Sequence, residues 1–316
     1  MAEAVLTRAG EQRVRRGIYV ETFIRAPLEE VWAKTQAPEA HQRWDLRFSS
    51  IDYLPRADGS RPRRFRYATR LGFGARIEGE GETVATREGA AGERTSSLRF
   101  GSADAKSLIR DGGGYWRYVP TEDGVRFLTW FDYRTRWGMM GRAADVVFRP
   151  LMAWATAWSF DRLRLWIERG IDPALSMERS LAHATARVTL AFVFLWHGIV
   201  PKLLVHHPDE IRMLVDGGVP ASAIPMLNLV HGTAEVALGL ALLVFWHWRG
   251  LFPLIIAFCA FALAAVAIAS PQFLTAAFTP VTFNACVAAL AAMGWIVSRD
   301  LPSARRCIRR RPESAS

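Results

Sequence analysis

The sequence predicts two materials in one chain: an α+β domain over residues 1–172 and an all-α four-helix transmembrane bundle over residues 182–298. A linker at 173–181 joins them, and a basic tail at 299–316 follows. Three observations carry this expectation. Up to about residue 170 the chain is rich in Arg, Asp and Glu and alternates apolar with polar residues, whereas from Leu181 it runs in long stretches of Leu, Ala, Val and Phe. The first part orders its signals as strand, two short helices, six strands and a long helix. The second part holds four runs of about 20 apolar residues, the length that crosses a hydrocarbon core. The mean hydropathy of +0.08 is thus the average of two unlike halves.

Each element has its own signal. "GIYVETFIRA" (17–26) alternates as a strand. In "PLEEVWAKT", Pro27 suits the first turn of a helix, and a second short helix, "PEAHQRW", ends at Trp44. Six strand-like runs follow, "LRFSSIDYL", "RRFRYATRL", "ARIEGEGETVAT", "TSSLRFG", "AKSLIRDGGGYWRYV" and "VRFLTWFDYRTRW", punctuated by Gly, Asp and Pro clusters. "RDGGGYW" lacks the strand-to-helix setting of a phosphate loop and reads as a bulge or turn. A helix over about 141–169 contains Pro150, expected to kink it or to open its second half. Leu151, Trp154 and Trp158 share a face of that helix. That face packs on the sheet, walls a cavity for a hydrophobic ligand, or meets the membrane. His41 reads as a surface residue. Asp45, Asp161 and Arg162 show no partner arrangement, and Asp132, Arg134 and Arg136 alternate along a strand as a solvated face or as structural ion pairs.

The four spans are expected at 182–204, 226–248, 251–270 and 276–297, the second and third joined by a tight "WRG" hairpin. Pro208, Pro220, Pro225, Gly217 and Gly218 break up the first loop. Arg162, Arg164, Arg169 and Arg179 precede span one, Arg249 lies in the second loop, and six arginines crowd "SRDLPSARRCIRRRPE". The other two loops offer only Lys202 and Arg212, so the excess of positive charge puts both termini in the cytoplasm. Trp246, Trp248 and Trp295 fall near span ends, where an aromatic belt sits. The formal charge of +10 invites nucleic acid as a partner. Its concentration beside an apolar run instead indicates anionic lipid headgroups. The first 17 residues lack an apolar core of a signal peptide, so the first domain is expected to stay on the side where it is made. Cys259, Cys286 and Cys307 form no metal or CxxC spacing, Cys307 offering a weak palmitoylation signal.

Ionisable groups inside the apolar runs are the functional candidates of the second half. In "NLVHGTAEVALGLALLVFWHW" (228–248), Asn228, His231, Gly232, Glu235 and Gly239 fall on one stripe. Small residues there admit a neighbouring helix. A carboxylate at mid-bilayer costs about 2.5–3.5 kcal/mol on insertion scales, so Glu235 must face inward with a partner or a proton. Its expected partners are His231, Arg187, His197 and Asn284. Glu235 is then either a clamp between helices or part of a polar site for a proton, a quinone-like headgroup or another small molecule. Lys202 with "HHPDE" is expected to form an entrance on the outer face. His206, His207 and Asp209 lack further ligands at metal spacing, so no metal is expected.

Two resemblances add to this reading. "IRAPLEEVWAKTQAPEAHQRW", with a strand leading into A-P-x-E-x-V-W and a Trp closing the second helix, resembles the START-like or SRPBCC (polyketide cyclase) superfamily. That likeness implies a helix-grip fold, a curved antiparallel sheet around a long C-terminal helix with an apolar cavity between them. "ARVTLAFVFLWHGIVPKLL", "HHPDEIRML", "GTAEVALGLALLV" and "FTPVTFNACVAAL" resemble the DoxX-like family of small four-helix membrane proteins. That family is linked to redox and thiol-stress systems but supplies no defined reaction. The expectation is a multi-pass protein of the cell membrane whose cytoplasmic domain binds a lipid-like or amphipathic small molecule. Its partners would be membrane lipids and that molecule, not nucleic acid. The alternatives are an accessory of a membrane redox or quinone-linked stress system, with a redox partner protein, or a membrane anchor for an interaction module. With no nucleotide fingerprint, metal cluster or nucleophile–base pair in view, the sequence leans to binding over catalysis and names no cofactor.

Overall fold

The structure, a computed structural model, describes residues 17–55, 63–70 and 74–311. The expectation for the extreme N-terminus lies outside the described residues. The chain forms two compact units, Met1–Ser176 with Pro302–Ser316, and Met177–Leu301.

The first unit is built on a seven-stranded antiparallel sheet: β1 (Ile18–Ile24), β2 (Ser50–Tyr53), β3 (Arg63–Arg70), β4 (Arg76–Glu88), β5 (Arg94–Gly101), β6 (Ile109–Thr121) and β7 (Gly124–Thr135). Their order across the sheet is β1-β7-β6-β5-β4-β3-β2. Helices α1 (Leu28–Gln36) and α2 (Pro38–Trp44) carry the chain from one edge of the sheet to the other. The strands obey the two-residue period: Val125, Phe127, Phe131 and Tyr133 of β7 are buried while Arg126 and Asp132 between them are charged. The glycine run is not a turn. Gly112, Gly113 and Gly114 pair with Tyr133, Asp132 and Phe131 inside the sheet, and the bulge sits just before them, between Ile109 and Asp111. A Cβ at Gly114 would lie 2.3 Å from the Trp130 carbonyl oxygen, which is why the strand needs glycine there.

Helix α3 runs from Gly138 to Arg169 and stays helical on both sides of Pro150. It buries Thr156, Ala157, Phe160 and Leu163, and Phe160 stacks on Phe127 of β7 at 4.4 Å. The helix-grip arrangement expected of this half is present. The basic tail, expected to be free for lipid, departs from expectation in its first residues. Ile308 exchanges two backbone hydrogen bonds of 2.9 Å with Glu21 of β1. The Ser303 backbone N–H donates to one Asp161 carboxylate oxygen at 2.8 Å and Arg306 to the same atom at 3.0 Å, while Arg164 takes the other at 2.8 Å. Asp161 is fully buried, and a buried carboxylate persists only with several donors. Cys307 is buried too, its Sγ 3.2 Å from the Ala157 carbonyl, a placement that does not suit the weakly signalled palmitoylation.

The second unit carries α4 (Pro173–His197) running into a π-helical segment (Gly198–Leu204), then α5 (Pro208–Asp216), α6 (Ile224–Val244), α7 (Leu251–Ala269) and α8 (Pro280–Val297). The expected linker at 173–181 is helical, forming the first turns of α4. Four helical segments, of 32, 21, 19 and 18 residues, are long and apolar enough to cross a membrane: Pro173–Leu204, Ile224–Val244, Leu251–Ala269 and Pro280–Val297. Their inner faces meet in a core of Leu190, Phe194, Leu242, Phe252, Ile255 and Ala291. Phe192, Leu240, Phe261 and Ile296 remain exposed, as lipid-facing side chains do. The small-residue stripe acts as expected: a Cβ on Gly198 would come 2.6 Å from the Gly232 carbonyl oxygen, so only glycine lets these two backbones meet.

Candidate functional site

The first unit holds a partly open cavity of about 570 Å³. Strands β3 to β7 form one wall, with Phe65, Tyr67, Phe100, Trp116 and Phe131. Helix α3 closes the other with Phe148, Leu151, Met152 and Trp154. The alternation of β strands and the i, i+3 spacing along α3 deliver these side chains to a common space. Of the residues expected to wall a cavity, Leu151 and Trp154 do so. Trp158 does not line it; it is buried, with its ring stacked on Trp154 at 6.5 Å and Arg162 5.5 Å from its centroid. Most wall hydroxyls are bound to the wall itself. Tyr53 donates to the Gln36 carbonyl (3.4 Å), Tyr67 to Gly101 (3.2 Å), Thr69 to Arg47 (2.6 Å) and Thr129 to Tyr115 (3.0 Å). Burial pushes the Tyr67 phenol up to about 12, so it stays a donor at neutral pH.

The polar centre of the cavity is a group that sequence reasoning missed. His41, read as a surface residue, lines the cavity with its side chain only 14% exposed. Its ring stacks on Trp44 (4.9 Å) and meets the edges of Trp116 (4.8 Å) and Phe48 (5.3 Å). Its Nε2 lies 3.1 Å from an oxygen of Asp45, whose side chain is fully buried. Arg47 grips the same carboxylate with Nε (2.9 Å) and Nη2 (2.7 Å), and its backbone N–H adds a further bond at 3.1 Å. Asp45 therefore has partners after all. Burial alone would raise its carboxyl, but the charge and hydrogen bonds of Arg47, joined by His41, hold it well below the usual carboxylate range. Burial lowers the His41 imidazole, against the smaller opposing pull of Asp45. The i, i+4 spacing of His41 and Asp45 at a helix end was the one signal in the sequence that could have exposed the pair.

A pH dependence follows. Both folded-state pKa values are depressed, so both groups contribute stability above their unfolded pKa values that is lost as pH falls. The His41 contribution begins to fall below about pH 6.5 and the Asp45 contribution below about pH 3.9. Denaturation of the purified chain followed between pH 8 and pH 3 should show stability declining with acid in that order. Asp45→Asn should remove the lower step; an unchanged acid limb in that variant contradicts the assignment.

Asp132, Arg134 and Arg136 are structural: Asp132 pairs with Arg149 (2.8 Å), Arg134 with Asp111 (2.6 Å), and Arg136 donates to the Ser102 and Ser107 carbonyls. Arg162, too, is spent on structure, donating twice to the Pro173 carbonyl.

In the second unit the polar side chains sort differently from expectation. Glu235 pairs with none of Arg187, His197, His231 or Asn284. Its partner is Lys202, whose Nζ lies 3.1 Å from Glu235 in an ion pair without the alignment of a hydrogen bond, and 3.2 Å from Glu210 of α5. Lys202 is only 8% exposed, and Asn228 donates to its carbonyl at 2.7 Å. Arg187 is fully buried and does the work of a helix cap, donating to the carbonyls of Leu242 (2.8 Å), Phe245 (3.1 Å) and Trp248 (2.6 Å). The last carbonyls of α6 have no partner within their own helix, so a guanidinium with five donors suits them. His197 packs on Phe283 at 4.6 Å, Asn284 donates back to Pro280 of its own helix at 2.9 Å, and His231 is exposed. His207 caps α5, accepting from the Asp209 backbone N–H at 3.3 Å. Among the described residues no group of three His, Cys, Asp or Glu side chains is arranged to hold a metal ion.

Comparison with known proteins divides along the same line. Residues 191–292 match the DoxX-like family. An uncharacterized membrane protein of Bacillus subtilis, YndG, is 48% identical over 161 residues, covering 50% of this chain and 60% of its own length. This chain therefore spans less than two thirds of that relative. Among solved structures, the di-domain ARO/CYC StfQ of the steffimycin biosynthetic pathway is 12% identical with a TM-score of 0.40, covering 52% of this chain and 54% of that one. A STAR-related lipid transfer protein of Xanthomonas axonopodis is 16% identical with a TM-score of 0.36, covering 48% of this chain and 86% of that one.

Proposed function

We propose that this membrane protein, which joins a helix-grip unit to a DoxX-like one, binds a lipid-like or amphipathic small molecule in its first unit, at the cytoplasmic face of the cell membrane. The observation that carries the reading is the cavity of about 570 Å³, walled mainly by aromatic and aliphatic side chains and furnished with a few buried polar groups, His41 among them. A volume of that size with few convergent polar groups is what small-molecule sites look like. The arginine bias of the loops supports cytoplasmic termini. The packing of Ser303–Ile308, which follow the fourth span, on a unit whose other residues precede the first span supports an even number of crossings. Membrane lipids and the bound molecule are the partners on this reading.

The test uses the full chain, purified gently in detergent. Native mass spectrometry should detect a co-purified small molecule at near-stoichiometric occupancy. Leu151→Trp, which fills the cavity from α3, should reduce that occupancy at least tenfold while the protein stays folded. Equal occupancy in the two proteins, or a cavity that neither retains nor takes up any apolar molecule, defeats the proposal.

A further inference from the structure

The cavity's polar group narrows the chemistry of its occupant. We infer that the cavity selects a neutral, ring-containing molecule bearing a hydroxyl group, whose O–H donates to Nδ1 of His41. The inference rests on the proposed binding role of the cavity and specifies its ligand.

Asp45 sets the tautomer of His41. Two Arg47 nitrogens, at 2.9 and 2.7 Å, and the Arg47 backbone N–H keep its carboxylate ionised. An ionised carboxylate only accepts hydrogen bonds. The His41 Nε2 that lies 3.1 Å from it must therefore carry the proton. In a neutral imidazole the other nitrogen is then an acceptor. Nδ1 receives no hydrogen bond from any described residue, while the ring lines the cavity. The aromatic packing of Trp44, Phe48 and Trp116 against the imidazole fixes its position, so the acceptor is preorganised rather than free to turn away.

The charge balance of the wall excludes an acid from this spot. Arg47 and Asp45 neutralise each other, and His41 is uncharged, so the buried wall presents no net charge to the cavity. A carboxylate placed beside Nδ1 would face a lone pair and lack a donor, a costly arrangement away from water. The other cations that border the cavity, Arg70 and Lys106, are exposed and remain hydrated. Ser96, buried on the wall, with a hydroxyl bonded to no described residue, can answer the oxygen of a second polar group on the ligand. The aromatic wall of Phe65, Phe100 and Phe131 favours flat rings by edge and face contacts.

The experiment offers the full chain three probes of one shape together: phenanthrene, 9-phenanthrol and phenanthrene-9-carboxylate. Native mass spectrometry reads the occupancy of each above that of the cavity-filled Leu151→Trp protein. We expect phenanthrol to exceed phenanthrene about five- to tenfold, the worth of one buried hydrogen bond, and the carboxylate to bind least. In His41→Phe the phenol should lose its advantage, and in His41→Gln, which restores an acceptor, part of it should return. Should His41→Phe fail to fold, the wild-type ranking alone decides. Binding of phenanthrene without preference for the phenol, a phenol preference that survives His41→Phe, or a carboxylate that binds best overturns the inference but leaves the binding role standing. No binding by any of the three removes both.

Discussion

Lys202→Met should be the most damaging single change in the membrane-spanning unit. It leaves two carboxylates, Glu235 and Glu210, without the ammonium that lies 3.1 and 3.2 Å from them. Breaking a buried ion pair by removing one partner costs about 3–5 kcal/mol, because the remaining charge stays behind uncompensated. Glu235→Gln should be mild by comparison, since its amide oxygen keeps a partial negative charge beside Lys202 while Glu210 still pairs with the ammonium. Glu235→Leu should fall between them, because Glu210 still balances Lys202. The combination Lys202→Met with Glu235→Leu should recover part of the loss, a coupling that only directly interacting residues show. Thermal unfolding in detergent reads all four. If Lys202→Met melts like the wild type, the ion pair contributes nothing and Glu235 faces water. A defect of Arg187→Leu should be independent of these, for Arg187 binds the carbonyls at the end of α6 and not Glu235.

Asp161→Ala should have the largest effect in the helix-grip unit, again about 3–5 kcal/mol, because Arg164, Arg306 and the Ser303 N–H all converge on that fully buried carboxylate. Its loss should release the segment from Ser303 to Ile308. Cys307 supplies the readout. In the wild type the thiol is buried and pushed up to about 12, first by burial and then by the Asp161 charge, so it should resist maleimide at neutral pH. With Cys259 and Cys286 replaced by Ser, the Asp161→Ala protein should label at Cys307 in inside-out membrane vesicles and not in right-side-out ones. Labelling only from the outer face would overturn cytoplasmic termini. Equal protection of Cys307 with and without Asp161 would show that the carboxylate does not hold the tail.

The sequence by itself determined the elements and most of their order. Period-two alternation and apolar run length are local properties, readable without knowing what packs against what, and they located seven strands, the gripping helix and four spans. The glycine stripe was legible for the same reason, since a repeat on one helix face needs no partner to be seen. Leu151 and Trp154 emerged from helical spacing alone. What the tertiary structure decided were the pairings. His41, Asp45 and Arg47 lie within seven residues, yet nothing in that stretch says that a β-sheet aromatic, Trp116, packs on the imidazole and that His41 lines a cavity instead of the surface. Glu235 needed a cation. The sequence offered several candidates, and the π-helical segment that ends α4 settled on Lys202 while Arg187 was drawn to the free carbonyls of α6. Asp161 found donors 142 and 145 residues away in the tail. A buried charge must be met by whatever donors the fold brings near, and sequence separation places no limit on which those are.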